Sequence, residues 1–249
     1  NQRGAALQQY EACKRVLQAE LGIEPSAETV TLATQIQQGT LPTEPDADLE
    51  SPYKGLHAFG ITDAADYFGR EAVIEKLQAQ LSLRPAVIII GPSGSGKSSI
   101  LRAGLLPNLL ARHASTGSTA LFEERAPIWS KIECRPGSDP FLSLAQEITK
   151  FTNSRVDPAT LAARLKNEGE RLSNVVTVPA GTRLLVCIDQ FEELYTLCQS
   201  QDVRRAFIDL LVNTIQSQLG ESPVLATVCT LPADFINQAL THRPLADLL

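Results

Sequence analysis

Residues Gly91, Pro92, Ser93, Gly94, Ser95, Gly96, Lys97 and Ser98 read G-x-x-x-x-G-K-S, and Ser99 follows. This run sits directly behind five apolar residues, "AVIII" (86–90). Glycines in such a run let main-chain N–H groups turn inward and wrap phosphate oxygens without a Cβ in the way. A helix opening near Ser98 adds its positive end to the same anion. Lys97 is then placed to reach the β- and γ-phosphates, and the Ser98 hydroxyl is a hard oxygen ligand for Mg²⁺. A match arising from average residue frequencies in a chain of this length has a chance of roughly one in a hundred. The plain alternative, a fortuitous Gly/Ser turn, does not call for the strand before and the helix after.

A phosphate loop of this kind needs an acid on a neighbouring strand to hold the magnesium. "LLVCIDQFEE" supplies it: an apolar run ends in Asp189, at the carboxyl end where open α/β sheets place ligands. Lys97 and Asp189 are 92 residues apart, which leaves room for one strand between them, "APIWSKIE". Such an added strand marks the branch of phosphate-loop proteins that activates water with a further acid. Glu192 and Glu193 follow Asp189 at once and are the candidates for that catalytic base. Read without chemistry, the same two residues are an acidic first helical turn. "CRPGSDP" puts Arg135 at a strand's carboxyl end, which suits either a nucleotide contact or a simple capped turn. His57, His113 and His242 share no ligand spacing and read as surface or packing residues. Trp129, inside an apolar run, reads as core.

These residues need a scaffold, and the pattern of apolarity describes one. "AVIII" (86–90), "APIWSKIE" (126–133), "RLLVCID" (183–189) and "PVLATVCT" (223–230) are short continuous runs rich in Val and Ile. Continuous rather than alternating apolarity suits parallel strands buried on both faces. Amphipathic stretches such as "DPFLSLAQEITKFT" and "DVRRAFIDLLVNTIQSQL" separate them. The expectation is α/β: a P-loop NTPase three-layer sandwich with a mostly parallel sheet. Residues 1–40 read differently. Leu7, Tyr10, Cys13, Leu17 and Leu21 make one helical stripe, Gly22 can end it, and Ser26 with Glu28 can start a second helix that Gly39 stops. This short N-terminal helical hairpin buries little by itself. "TLPTEPDADLESP" has three prolines and four acids and reads as a linker, over 41–51, with the second domain at 52–249.

The bulk numbers set limits. Of 249 residues 43% are hydrophobic, enough for one sizeable core plus a small module, and the net charge of −6 argues against a nucleic-acid or membrane surface spread over the chain. The five cysteines form no C-x-x-C pair and read as small core residues in a reducing compartment, with a cytoplasmic location as the default. No methionine occurs, even at position 1, so the chain is expected to begin inside a longer protein.

Two resemblances go beyond this. Gly69-Arg70-Glu71 before the glycine loop, with the Asp189 segment after it, resembles the STAND class of signal-transduction ATPases. That likeness implies that Gly69, Arg70 and Glu71 lie beside the adenine and ribose. "SPYKGLHAF", "DAADYFGRE", "GPSGSGKSSILRAGLLPNL", "RPGSDPF", "DQFEELYTL" and "TLPADF" follow the order and spacing of the novel STAND domain often found ahead of WD-repeat propellers. The DQFEE segment is similar to the extended acidic motif of the related NACHT proteins. In that family "TLPADF" carries arginine where this chain has Pro232, a departure that removes a cation able to sense the terminal phosphate. Arg243 is a candidate substitute, though it also reads as a solvated surface residue. "ALQQYEACKRVLQAELGIEPSAET" resembles the closing helices of a bacterial transcriptional activator domain, tetratricopeptide-like, which implies protein–protein contact in a regulator.

Together these imply a regulatory switch binding ATP/ADP with Mg²⁺, slow hydrolysis, and nucleotide-dependent self-association. Protein partners would come through the N-terminal helices and flanking domains, with no direct nucleic-acid or membrane contact. Two other classes stay in view. One is a scaffold that binds ATP without hydrolysing it, which Pro232 favours. The other is a small-molecule P-loop kinase, for which the chain offers no arginine-rich lid. No N-K-x-D or L-S-G-G-Q motif appears.

Overall fold

A computed structural model describes residues 2–38, 55, 57–111, 127–220 and 223–247. The chain divides into two compact units, Asn1–Pro52 and Tyr53–Leu249.

The first unit holds helix α1 (Gln2–Val16), which runs on through one wider π-helical turn (Leu17–Leu21), and helix α2 (Ala27–Gln38). Gly22 stops the first in the left-handed region at φ 65° and returns its N–H to the Leu17 carbonyl. Ser26 opens the second, its Oγ accepting the Thr29 N–H at 3.3 Å. Ala33 is this pair's one buried hydrophobic residue among those described. The expected linker at 41–51 lies outside the described residues, as do Gly39 and His113.

The second unit opens with a 3₁₀ turn (Ile61–Asp66) and helix α3 (Glu71–Leu83), followed by strand β1 (Ala86–Gly91). The glycine loop leads into one helix built in three pieces: α4 (Lys97–Ser99), a π-helical turn (Ile100–Leu105) and α5 (Leu106–Leu110). The π turn has a local cause. Pro107 has no N–H to give, and at the adjoining turn Leu106 N–H reaches back five residues to the Leu101 carbonyl. The Asn108 side-chain amide donates to the Gly104 carbonyl at 2.8 Å.

Then come β2 (Ile128–Cys134), α6 (Pro140–Thr152), α7 (Pro158–Leu165), β3 (Thr182–Ile188), α8 (Glu193–Thr196), α9 (Gln201–Ser217), β4 (Leu225–Pro232), α10 (Ile236–Leu240) and α11 (Arg243–Ala246). Asp139, Asp157 and Ser200 cap α6, α7 and α9, each accepting a main-chain N–H from the first turn of its helix.

The four strands are all parallel, in the order β1-β4-β3-β2, and the expected α/β class holds. Alternate residues of one strand feed two cores, which is what makes continuous apolar strands necessary. Leu184, Val186 and Ile188 face a layer with Phe141, Leu144, Phe207 and Leu211, whereas Leu185 and Cys187 face Leu81, Leu101 and Leu105. Trp129 is buried in the second core, with the Arg183 guanidinium 4.5 Å above its ring centre. The strand lying between Lys97 and Asp189 in the sequence, β2, is not the one between β1 and β3 in space. That place belongs to β4, and β2 forms the far edge.

Candidate functional site

Parallel strands put all their carboxyl ends on one rim, and the chemistry-bearing residues gather there. Gly91 pairs with Pro232 at the ends of β1 and β4, while Ile188 pairs with Cys229 one step before Asp189 and Thr230. The loop after β1 needs its glycines: Gly94 and Gly96 sit at φ 74° and 86°, where an L side chain is strained. Lys97 Nζ folds back across the loop and donates to the carbonyls of Gly91 (3.1 Å) and Pro92 (2.8 Å). Ser95 N–H closes a turn onto the Pro92 carbonyl at 3.2 Å. Among the described residues the N–H groups of Gly94, Gly96 and Lys97 meet no protein acceptor. Ser93 is exposed, whereas Ser99 is buried and its Oγ accepts the Phe59 N–H at 3.1 Å, tying the upstream segment to the loop helix.

Asp189 is fully buried. Its Oδ1 accepts both the Ser98 hydroxyl at 2.8 Å and the Thr230 hydroxyl at 2.7 Å. Its Oδ2 faces Arg102 Nη2 at 3.2 Å and Arg135 Nη2 at 3.6 Å, and neither guanidinium is aligned for a hydrogen bond. Arg102 is itself held through Nε by Glu133, which also pairs with Lys131 at 2.8 Å. The residue after Asp189 is strained. Gln190, not glycine, sits at φ 59°, and its N–H is satisfied by Thr230 Oγ1 at 2.8 Å. Thr230 thus locks the acid and the turn behind it at once.

The two acids that follow differ. Glu193 spends Oε2 on the Gly137 N–H at 2.8 Å, fastening the loop after β2 to α8. Glu192 Oε2 is buried with no hydrogen-bond partner among the described residues. Burial pushes the Glu192 carboxyl above the usual glutamate range, against its own backbone hydrogen bond and the nearby Lys97 ammonium, which pull it down.

Gly69, Arg70 and Glu71 form a separate, exposed turn at the start of α3. Glu71 accepts the Gly69 N–H at 2.8 Å, and backbone hydrogen bonds hold its carboxyl below the usual range. Their hydrogen bonds among the described residues are local to this turn and α3, with none to the glycine loop. The segment does bear on the loop helix through Tyr67, which lies against Gly104 and packs on Phe59 at 5.6 Å between ring centres. Arg243 is exposed and faces Asp247 at 3.8 Å. His242 Nε2 stands 3.0 Å from Asp209 Oδ1.

The donor set fits a magnesium ion shared with a bound nucleotide. A serine hydroxyl and a carboxylate, one oxygen of which lacks a hydrogen bond, are hard oxygens, and Mg²⁺ in such sites takes most of its ligands from water and phosphates. Among the described residues no cluster of three or more His, Cys, Asp or Glu could hold a metal by itself. Sequence reasoning missed Thr230 and Arg102. Thr230 and Arg102 lie in stretches that carry the family resemblance, but the strand was otherwise read for apolarity and the helix as the loop's continuation, and neither side chain was given a role.

No curated protein matches the chain. Among solved structures it is similar to the Aeropyrum pernix ORC2 protein (ADPNP-ADP complexes) at 14% identity and a TM-score of 0.42, over 72% of this chain and 44% of that one. Among the described residues no helix is long and apolar enough to cross a membrane. Residues 1–37 match the bacterial transcriptional activator domain. Residues 52–249, carrying the glycine loop, Asp189 and the parallel sheet, match the model for novel STAND NTPase 1, and the chain belongs to that family.

Proposed function

We propose that this chain is the nucleotide-binding switch of a larger regulatory protein: it takes ATP with Mg²⁺, hydrolyses it slowly, and differs in conformation between its ATP and ADP states. The observation that carries the reading is the 2.8 Å bond from Ser98 to Asp189, which joins the loop helix to the end of β3 beside unpaired loop N–H groups. Residues 91–99 cradle the phosphates, with Lys97 leaving its loop carbonyls for phosphate oxygens. Ser98 and Asp189 hold the Mg²⁺, which when bound neutralises charge on the transferred phosphoryl group. Glu192 is the base that orients or deprotonates water, since its free, buried oxygen suits that work, while Glu193 is occupied as a latch. The Gly69–Glu71 turn flanks the base and sugar. As a switch it works only by binding the two nucleotides with different affinity in two states. The helices of residues 1–40 serve protein contact, and 52–249 is the switch proper, in a reducing, cytoplasmic setting, with a downstream WD-repeat propeller and nucleotide-dependent self-association.

Titration calorimetry of the whole chain with MgATP tests this. Lys97→Ala should weaken binding by roughly ten- to a hundredfold, the weight of a charge-assisted contact, with an unchanged melting temperature in the absence of nucleotide. Equal affinity in variant and parent overturns the site. A second reading, a scaffold that binds ATP without hydrolysing it, is favoured by buried Pro232 beside Gly91, which brings neither a cation nor an N–H. Single-turnover phosphate release separates the two: no release above buffer from the parent leaves the scaffold.

A further inference from the structure

Asp189 is a buried anion with two guanidinium groups on the same oxygen, and those two groups are not equally committed. Arg102 is threaded through the loop helix, mostly buried, and ion-paired with Glu133. Arg135 stands at the carboxyl end of β2, its side chain 45% exposed, and its 3.6 Å approach to Asp189 is its one ion pair among the described residues. The backbone behind it is firmly placed. Asp189 N–H bonds the Cys134 carbonyl at 2.9 Å, Ser143 Oγ donates to the Pro136 carbonyl at 3.1 Å, and Glu193 holds the Gly137 N–H at 2.8 Å. Arg135 is therefore a half-exposed side chain with one long ion pair, carried on hydrogen-bonded backbone at the rim where the strands end.

We infer that Arg135 reads the terminal phosphate of a nucleoside triphosphate, leaving Asp189 Oδ2 for that phosphate when the site fills. The inference rests on the nucleotide-binding reading above. The driving force is charge balance. Without nucleotide, two cations compensate one buried carboxylate. With a divalent ion beside Asp189, a second guanidinium there is repelled, while a triphosphate tail offers a new anion close by. Arg102 keeps Glu133 and stays, so Arg135 is the one to move. Pro232 at the end of β4 leaves that strand without a cation. Lys131 is already engaged by Glu133, and Lys97, which leaves the loop carbonyls in the reading above, belongs to the phosphate cradle in both nucleotide states. The fork of an arginine suits a terminal PO₃ group better than a lysine does.

The test compares affinities for ADP and for a non-hydrolysable ATP analogue, both with Mg²⁺, in the whole chain by calorimetry, together with melting curves without nucleotide. Arg135→Ala should lower triphosphate affinity roughly ten- to a hundredfold, leave ADP affinity within about twofold, and so erase the preference for triphosphate, and Arg135→Lys should restore part of it. An unchanged preference, or an equal loss for both nucleotides with a lower melting temperature, makes Arg135 a structural partner of Asp189 and overturns the inference. If Arg135→Ala does not fold, Arg135→Gln, which keeps much of the side chain's bulk, is compared in its place: a lost triphosphate preference supports the inference and a retained one overturns it. Parent protein that binds neither nucleotide sinks the nucleotide reading itself, an outcome distinct from parent binding with an indifferent Arg135.

Discussion

Asp189 concentrates the local physics of this protein. A carboxylate with no solvent exposure survives only with donors and cations around it, and here two hydroxyls and two guanidinium groups converge on its two oxygens. Its neighbours divide the remaining labour. Glu193 is spent on Gly137, and half-buried Glu192 keeps Oε2 buried without a hydrogen-bond partner among the described residues, its carboxyl raised above the ordinary glutamate value by burial. A base works only when ionised, so a raised carboxyl moves the acid limb of the rate profile upward. Single-turnover hydrolysis should therefore rise with pH through a range above that of a free glutamate. Glu192→Gln should flatten the profile and slow the step by about two to four orders of magnitude. Loss of the limb in Glu193→Gln but not in Glu192→Gln would reverse the assignment. The sign for stability is the opposite one: because the folded state binds this proton more tightly, ionising Glu192 erodes stability. The loss begins at the ordinary glutamate range and is complete above the raised value.

At the scale of elements, the loop helix and α3 depend on one small residue. A Cβ on Gly104 would lie 2.7 Å from Ile74 Cδ1 and 3.4 Å from Tyr67 Cε1. Glycine there lets the upstream segment close on the loop helix, where Tyr67 and Phe59 pack together and Phe59 N–H reaches Ser99. Gly104→Ala should lower stability by roughly 1–3 kcal/mol despite alanine's better helix propensity, because Ile74 is buried and has little room to yield. Denaturant unfolding measures it, and against an Ile74→Ala background, itself destabilised by the lost side chain, Gly104→Ala should cost much less than in the parent. A stabilised Gly104→Ala single variant would refute the crowding. That contact was invisible in the sequence, where Gly104 lies in the segment behind the glycine loop with nothing to mark it off. The strand segments were legible to within about two residues, since each is a local run of Val, Ile and Leu. The order β1-β4-β3-β2 was not, since pairing β1 with β4 joins segments more than a hundred residues apart.

Among the described residues of the second unit, one sheet separates two cores, and four of the chain's five cysteines are buried, with Cys134, Cys187 and Cys229 in strands. Burial pushes the Cys134 and Cys229 thiols up to about 12 and Cys187 higher still, so none offers an accessible thiolate near neutral pH. Exposed Cys13 should react with iodoacetamide in the native protein while the other four stay protected until the sheet opens, as peptide mass spectrometry would read. Equal labelling of Cys13 and the strand cysteines in native conditions would contradict this packing. The sequence by itself determined the kind of fold and the chemical type of the loop, because apolar periodicity, glycine backbone freedom and the lysine and hydroxyl beside it are properties of neighbours along the chain. Only the tertiary structure decided the partners of Asp189. The placing of Thr230 on one oxygen, the unequal hold of Arg102 and Arg135 on the other, and the split between Glu192 and Glu193 all depend on side chains from β2, β3, β4 and the loop helix meeting at one rim. Their angstrom-scale distances follow from strand register and helix packing, which no run of consecutive residues encodes.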